Sequence, residues 1–514
     1  MRLPRASGVL LHPTSLPGRH GSGDCGAAAY HFVDWLVTAG QQLWQILPLT
    51  GIGPGHSPYM SRSAFAGNEL LIDLDALGHA GWLTDDELAP PPGVSAERVA
   101  FDAVVPFRMS RLRTAAARFA AGADAGARAD FEDYCRAQAD WLDDYALFMA
   151  LADVHASADW RTWPGGLAVR DPAAIATARA AQAEAVHAWR FCQWTFDRQW
   201  AALRHYANSR GVRIVGDTPI FVSGESADVW THPDLFELDA ARRPRVVAGV
   251  PPDFFSATGQ RWGNPLYRWP SHAADGYAWW IARVRRTFAL VDVVRIDHFR
   301  GFAAHWEIPA DEPTAVNGRW VPGPGAAFFD ALERAIASVP IIAEDLGVIT
   351  PDVDALRRRC GFPGMRVLQF AFEGDAGNSF LPHHYEPDTV VYTGTHDNNT
   401  SAGWWAGAPE RERAFARAYL GLPGGPEGVT ADAEGAAAAR ALLRAAWGSV
   451  ADTAVAPMQD VLALPAAARM NFPGQGDGWW TWRFTWDQVR PDDAARLAEL
   501  GRLFGRPSPR GAGR

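Results

Sequence analysis

Apolar, β-branched runs recur along this chain, and each is stopped by charged or loop-forming residues. Eight have strand length: GVLLHP (8–13), QLWQILPL (42–49), RIVGDTPIFV (213–222), VDVVRIDHF (291–299), PIIAEDLG (340–347), MRVLQFAF (365–372), TVVYTGTHD (389–397) and DTAVAPMQDVL (452–462). Helix-length segments separate most of them. That alternation predicts an α/β protein, a (β/α)8 TIM barrel.

The spacing is uneven. About 160 residues separate the second and third runs, far more than one helix requires. This excursion is rich in alanine and arginine at helical period over 103–155 and 171–207, which predicts an inserted, mainly helical subdomain at about 75–205. The Ala-rich stretch 430–447 reads as the helix before the last strand. The barrel with its insertions is expected to fill 1–505, and the tail RPSPRGAGR (506–514) to be disordered.

Three strand-like runs stop at a carboxylate. Asp297 ends the fourth, Glu344 the fifth and Asp397 the seventh, while Asp217 ends the third. In a parallel α/β protein the carboxyl ends of the strands gather on one face, where ligands bind. The chemistry that most needs converging carboxylates is glycoside bond cleavage, in which one attacks and another shuttles a proton. Arg295 and Asp297, two apart on a strand, share a face. The pair reads either as a structural ion pair or as a nucleophile kept ionised by its neighbour. His298 and His396 each flank a carboxylate and could hydrogen-bond sugar hydroxyls or a developing oxyanion. Asp345 follows Glu344, and its charge, with partial burial, is expected to raise the pKa of Glu344 toward that of a proton donor. A metal site built from Asp217, Asp297, Glu344 and Asp397 is the other reading, although the regular spacing of calcium loops is missing.

Composition removes several classes. A net charge of −10 argues against a nucleic-acid partner. The chain contains no lysine, which excludes Schiff-base and pyridoxal-phosphate enzymes, glucan phosphorylase among them, and a P-loop. The four cysteines are scattered without a CxxC, as expected of a reduced, cytoplasmic protein. No apolar run suits a signal peptide or a membrane span. The 23 tryptophans, many in Gly/Pro-rich stretches (Trp230, Trp262, Trp269, Trp320, Trp404, Trp405, Trp479, Trp480, Trp482), favour sugar binding as a set, since aromatic faces suit sugar rings.

Taken together, the segments LHPTSLPG (11–18), QLWQILPL (42–49), SPYMSRSAFAGNELLIDL (57–74), GDTPIFV (216–222), GVPPDFFSATGQRWGNPLY (249–267), RIDHFRGF (295–302), AEDLG (343–347) and GTHDNNT (394–400) closely resemble the amylomaltases, 4-α-glucanotransferases of the α-amylase clan. The resemblance implies a retaining enzyme on a (β/α)8 barrel with inserted subdomains, no separate C-terminal β domain and no metal or organic cofactor. It implies Asp297 as nucleophile, Glu344 as general acid/base and Asp397 as transition-state stabiliser. Arg295, His298, His396 and Asp217 then surround the sugar, and Ser57 and Tyr59 of the SPY motif line the donor side. Asp253, Trp262 and Asn264 fall in a loop (249–267) that arches over the cleft, and 465–484 forms a second cover.

The implied substrates are maltodextrins, maltooligosaccharides and starch- or glycogen-derived α-glucans, with no nucleic-acid or membrane partner. An α-1,4-glucan hydrolase using the same carboxylates is the alternative; a non-catalytic glucan-binding module would be expected to have lost an acid. Two departures stand out: the late segment has Gln475 near a usual threonine and Trp479 in place of a usual asparagine, which bears on chain-length preference, and Glu69 replaces a common proline.

Overall fold

The computed structural model describes residues 3–253, 256–423 and 430–509. Its described residues form twelve strands: β1 (Ala6–Leu10), β2 (Leu43–Gln45), β3 (Arg213–Pro219), β4 (Val246–Val250), β5 (Gln260–Pro265), β6 (Val293–Asp297), β7 (Ala304–Pro309), β8 (Arg319–Pro322), β9 (Ile341–Ala343), β10 (Gly364–Val367), β11 (Thr389–Tyr392) and β12 (Thr453–Pro457). All eight runs picked out above are among them. They lie side by side in parallel in the order β10-β11-β12-β1-β2-β3-β6-β9.

The two outer strands meet and close the barrel. Ala343 N–H donates to Pro363 O at 3.0 Å, and Met365 N–H donates to Asp345 Oδ1 at 2.6 Å. Asp345 is also paired with Arg357 at 3.4 Å. It therefore seals the seam, and is not the charge that tunes Glu344. Close packing elsewhere dictates a glycine: a Cβ on Gly8 would lie 2.3 Å from Leu43 O, so only glycine lets β1 approach β2 there.

The long excursion folds into helices Phe101–Gly122, Ala125–Ala137, Ala139–His155, Pro172–Ala181 and Ala183–Ser209. Asp124 and Asp171 cap two of them, accepting from Ala127 N–H at 2.8 Å and Ala174 N–H at 2.9 Å. Rings of Trp82, Phe119, Phe131, Phe191 and Trp194 pack edge to face in its core. The last helix docks on the barrel, where Trp200 Nε1 donates to Leu290 O at 2.8 Å and Arg204 pairs with Asp292 at 2.6 Å.

A second, antiparallel sheet of order β5-β4-β7-β8 was not expected. Its strands are short and broken by glycine and proline, so they carry no clear period. It is built from the chain that follows β3 and β6, the strands bearing Asp217 and Asp297, and so stands at their carboxyl ends. The segment 249–267, read as a loop, thus spans most of a hairpin. Residues 95–99 join the late segment, with Val99 N–H donating to Thr481 O at 2.7 Å and Arg483 N–H to Glu97 O at 2.8 Å.

Two further expectations change. Many tryptophans are packing residues: Trp230, Trp269, Trp405 and Trp482 are buried, and Trp230 Nε1 donates to Leu167 O at 2.9 Å. The ordered chain also runs past 505. Arg506 is 1% exposed, and its guanidinium donates to the carbonyls of Ala6, Ala446, Trp447, Ala451 and Asp452. Residues 510–514 of the tail lie outside the described residues. Among the described residues no helix is long and apolar enough to cross a membrane.

Candidate active site

β6 ends on Asp297, and its parallel register with β3 sets Arg295 opposite Asp217. The Arg295 guanidinium spans two carboxylates: one nitrogen donates to both oxygens of Asp217 at 2.9 and 2.8 Å, and the other meets Asp297 Oδ1 at 3.0 Å. The Asp217 side chain has no exposed surface, whereas that of Asp297 is 30% exposed. Tyr59 O–H adds a third bond to Asp217 at 2.8 Å. Asp217 therefore sits behind Arg295 and Tyr59 and fixes both. Its oxygens are occupied by these donors, and among the described residues no group of three or more His, Cys, Asp or Glu side chains could hold a metal.

Glu344 follows β9 directly. Directly after the next-door strand β6, His298 adopts a left-handed conformation (φ 53°, ψ 49°), a turn uncommon outside glycine. That turn directs His298 N–H to Glu344 Oε2 at 2.8 Å, while Leu346 N–H donates to Oε1 at 2.7 Å. Burial pushes the Glu344 carboxyl up to about 7; Arg295 opposes the shift, and the negative charge of Asp297 adds to it. Burial likewise pushes Asp297 up to about 6, against Arg295 and with Asp217 and Asp397. Burial thus raises both carboxyls and Arg295 opposes the rise on each, touching Asp297 directly. Arg295 does not hold Asp297 in the ordinary carboxylate range; it opposes a rise in which burial is the larger cause.

Asp397 lies five residues past β11. Asn471 Nδ2 donates to its Oδ1 at 2.6 Å, Arg469 to its backbone O at 2.6 Å, and His396 Nε2 stands 3.4 Å from Oδ1. The His396 ring stacks on Tyr59 at 5.2 Å, with Trp480 beside both at 5.8 and 5.7 Å. Ser57 Oγ accepts from Tyr59 N–H at 3.2 Å, so it caps the turn that presents the tyrosine.

The β4–β5 hairpin reaches the site through Trp262, whose ring meets His298 edge to face at 4.8 Å. Asn264 is buried, and its amide donates to Val222 O at 2.9 Å, a bond that ties the hairpin to the chain after β3. Asp253 is exposed near the hairpin tip, where its carboxylate accepts from Ser256 N–H at 2.8 Å; this contact belongs to the hairpin turn.

Four contributors were not foreseen. His12, after β1, is 5% exposed, and burial together with His396 lowers its pKa to about 3. Its place after a strand was the available signal. Asn471 and Arg469 lie in irregular chain with no period to mark them. Trp480 was named only as one ring of a set. His298, by contrast, was foreseen, and burial keeps it neutral with a pKa of about 3. The cleft floor is thus two carboxyls raised by burial, a third carboxylate with a committed donor, and aromatic and imidazole rings beside them.

The profile of the 4-alpha-glucanotransferase family matches residues 11–488. A 4-alpha-glucanotransferase of Thermus thermophilus is 49% identical over 97% of this chain and 99% of its own length. One from Synechocystis sp. is 45% identical over 98% of both. Among solved structures, an amylomaltase from Streptococcus agalactiae in complex with acarbose superposes with a TM-score of 0.93 at 38% identity, covering 98% of this chain and all of that one.

Proposed function

This chain belongs to the 4-alpha-glucanotransferase family, and from that premise we propose how its residues carry out the transfer. Asp297 attacks the anomeric carbon of an α-1,4-linked glucan while Glu344 gives its proton to the departing 4-oxygen. A covalent glycosyl-enzyme forms through an oxocarbenium-like transition state. Asp397 holds the 2- and 3-hydroxyls and tightens as the ring flattens. Glu344, now a base, takes the proton of the incoming 4-hydroxyl, and the second displacement restores the α configuration. Every step uses only these carboxylates and their neighbours.

The observation that carries this reading is the setting of the two acids: Asp297 meets the Arg295 guanidinium at 3.0 Å, while Glu344 accepts from the backbone N–H groups of His298 and Leu346. Burial raises both carboxyls, which brings Glu344 to about 7, in the range of a proton donor. A proton donor raised by burial beside a carboxylate held by a cation is the arrangement that this chemistry needs. The substrates are α-glucans, here maltodextrins, maltooligosaccharides and the chains derived from starch or glycogen, handled in the cytoplasm. The hairpin bearing Trp262 and the segment 465–484 cover the cleft, and the helical subdomain at about 75–205 braces the latter through residues 95–99.

Pure maltotriose tests the reading. Transfer releases glucose and builds longer maltodextrins at nearly constant total reducing ends. Reducing ends that climb in step with glucose would make the protein a hydrolase.

A further inference from the structure

Asp460 is a buried carboxylate that this chemistry leaves unused. It lies in the short helix Met458–Val461 at the carboxyl end of β12 and is 1% exposed. Three donors converge on it: the Thr393 hydroxyl at 2.5 Å, Ser401 N–H at 2.6 Å and the Ser401 hydroxyl at 2.7 Å. Thr393 follows β11 directly, and Ser401 opens the helix Ser401–Gly407. Between them runs GTHDNNT (394–400), the loop that carries His396 and Asp397. One side chain just past the eighth barrel strand therefore ties both ends of the loop built on the seventh.

A carboxylate suits this task. Its two oxygens accept all three donors at once, and these bonds oppose the rise in pKa that burial causes without cancelling it. Within the loop, Asn398 Oδ1 accepts from Thr395 N–H and O–H, both at 2.8 Å, and Gln369 Nε2 donates to Asn399 O at 2.9 Å. These bonds stiffen the loop but do not anchor its ends to β12. Across the cleft Asn471 fixes one oxygen of Asp397. Asp460 is the counterpart that sets where the loop begins and ends.

We propose that Asp460 is a positioning residue for glucan transfer: by clamping Thr393 and Ser401 it sets the height at which Asp397 meets the 2- and 3-hydroxyls of the transferred sugar. The inference rests on the role of Asp397 given above. A small displacement of such a group is enough to cost about 100-fold in rate.

The test is a cycle between protein and substrate. Rates are measured on α-glucosyl fluoride and on its 2-deoxy analogue with maltose as acceptor, for the wild type, Asp460→Ala, Thr393→Val and Ser401→Ala. Thr393→Val is nearly isosteric and keeps the test alive if Asp460→Ala fails to fold. Asp397→Asn serves as the reference. Where Asp397 no longer reaches the 2-hydroxyl, removing that hydroxyl matters less. The expected result is a preference for the 2-hydroxyl donor that falls at least about fivefold in the three clamp variants, as in Asp397→Asn, with kcat lowered more than KM is raised. A structural defect alone would slow both donors equally. If the clamp variants keep the wild-type preference while Asp397→Asn loses it, Asp460 serves only the fold and the proposal fails. If Asp397→Asn also keeps it, the role of Asp397 is wrong and the proposal falls with it.

Discussion

Arg295 and Asp297 stand two residues apart on one strand and meet at 3.0 Å, while the same guanidinium holds the fully buried Asp217 at 2.8 Å. Asp297, the proposed nucleophile, is thus gripped by a cation that is itself locked from behind. Burial drags both acids upward, and Arg295 opposes the rise on each.

The pH profile should show this. With the pair titrating near 6 and 7, kcat/KM on maltotriose is expected to be a bell with its maximum between those values. Arg295 lowers the Asp297 pKa, so weakening its grip must raise it. Arg295→Lys keeps a charge but cannot span two carboxylates. Its acid limb should move to higher pH, and activity at pH 5.5 should fall more than activity at pH 7. An unmoved limb would separate Arg295 from the ionisation of Asp297.

Glu344→Gln should lose at least ~10^3-fold on natural glucans, whose leaving oxygen needs a proton. With α-glucosyl fluoride, which does not need one, the first step should be largely retained and the basic limb of the profile should vanish. If glycosyl-enzyme formation gains nothing from the fluoride, Glu344 is not the acid.

Trp262 touches His298, the residue whose backbone N–H holds Glu344. Trp262→Ala should slow transfer and raise the hydrolytic share, because a covering ring is lost and water gains access. Equal loss of transfer and hydrolysis would place Trp262 outside the water barrier.

Much of this was legible in the chain. The eight barrel strands announced themselves because burial made them continuous apolar runs, and Asp297 and Glu344 were visible because each directly ends such a run. Asp397 was found the same way, although its strand stops at Tyr392 and the acid hangs on a loop. What stayed hidden depends on contacts between distant segments. Asp345 reads as a partner of Glu344, yet it faces the β9–β10 seam. Asn471 has no period to reveal it, and it matters only because its amide reaches Asp397. The sheet beside the cleft was missed because its strands are short and interrupted by glycine and proline.

Arg506 is the sharpest case. Its neighbourhood of Pro, Gly, Ser and Arg reads as disorder, but its guanidinium is bound by five backbone carbonyls at the amino ends of β1 and β12 and the end of the preceding helix. Arg506→Ala should lower the urea midpoint by the equivalent of about 2 kcal/mol or more, since several buried acceptors lose their donor, with kcat on maltotriose little changed at 25 °C. A midpoint matching the wild type would show that the carbonyls are satisfied without it.

The most direct test is to find the covalent bond. Glu344→Gln incubated with α-glucosyl fluoride should accumulate a glycosyl-enzyme, since the first step proceeds without the acid and the second lacks its base. Acid quench, proteolysis and mass spectrometry would then locate the sugar. A single hexose on Asp297, absent in the double variant carrying Asp297→Asn as well, is the result expected here. An adduct on another residue, or product formed with inverted configuration and no adduct, would contradict the account.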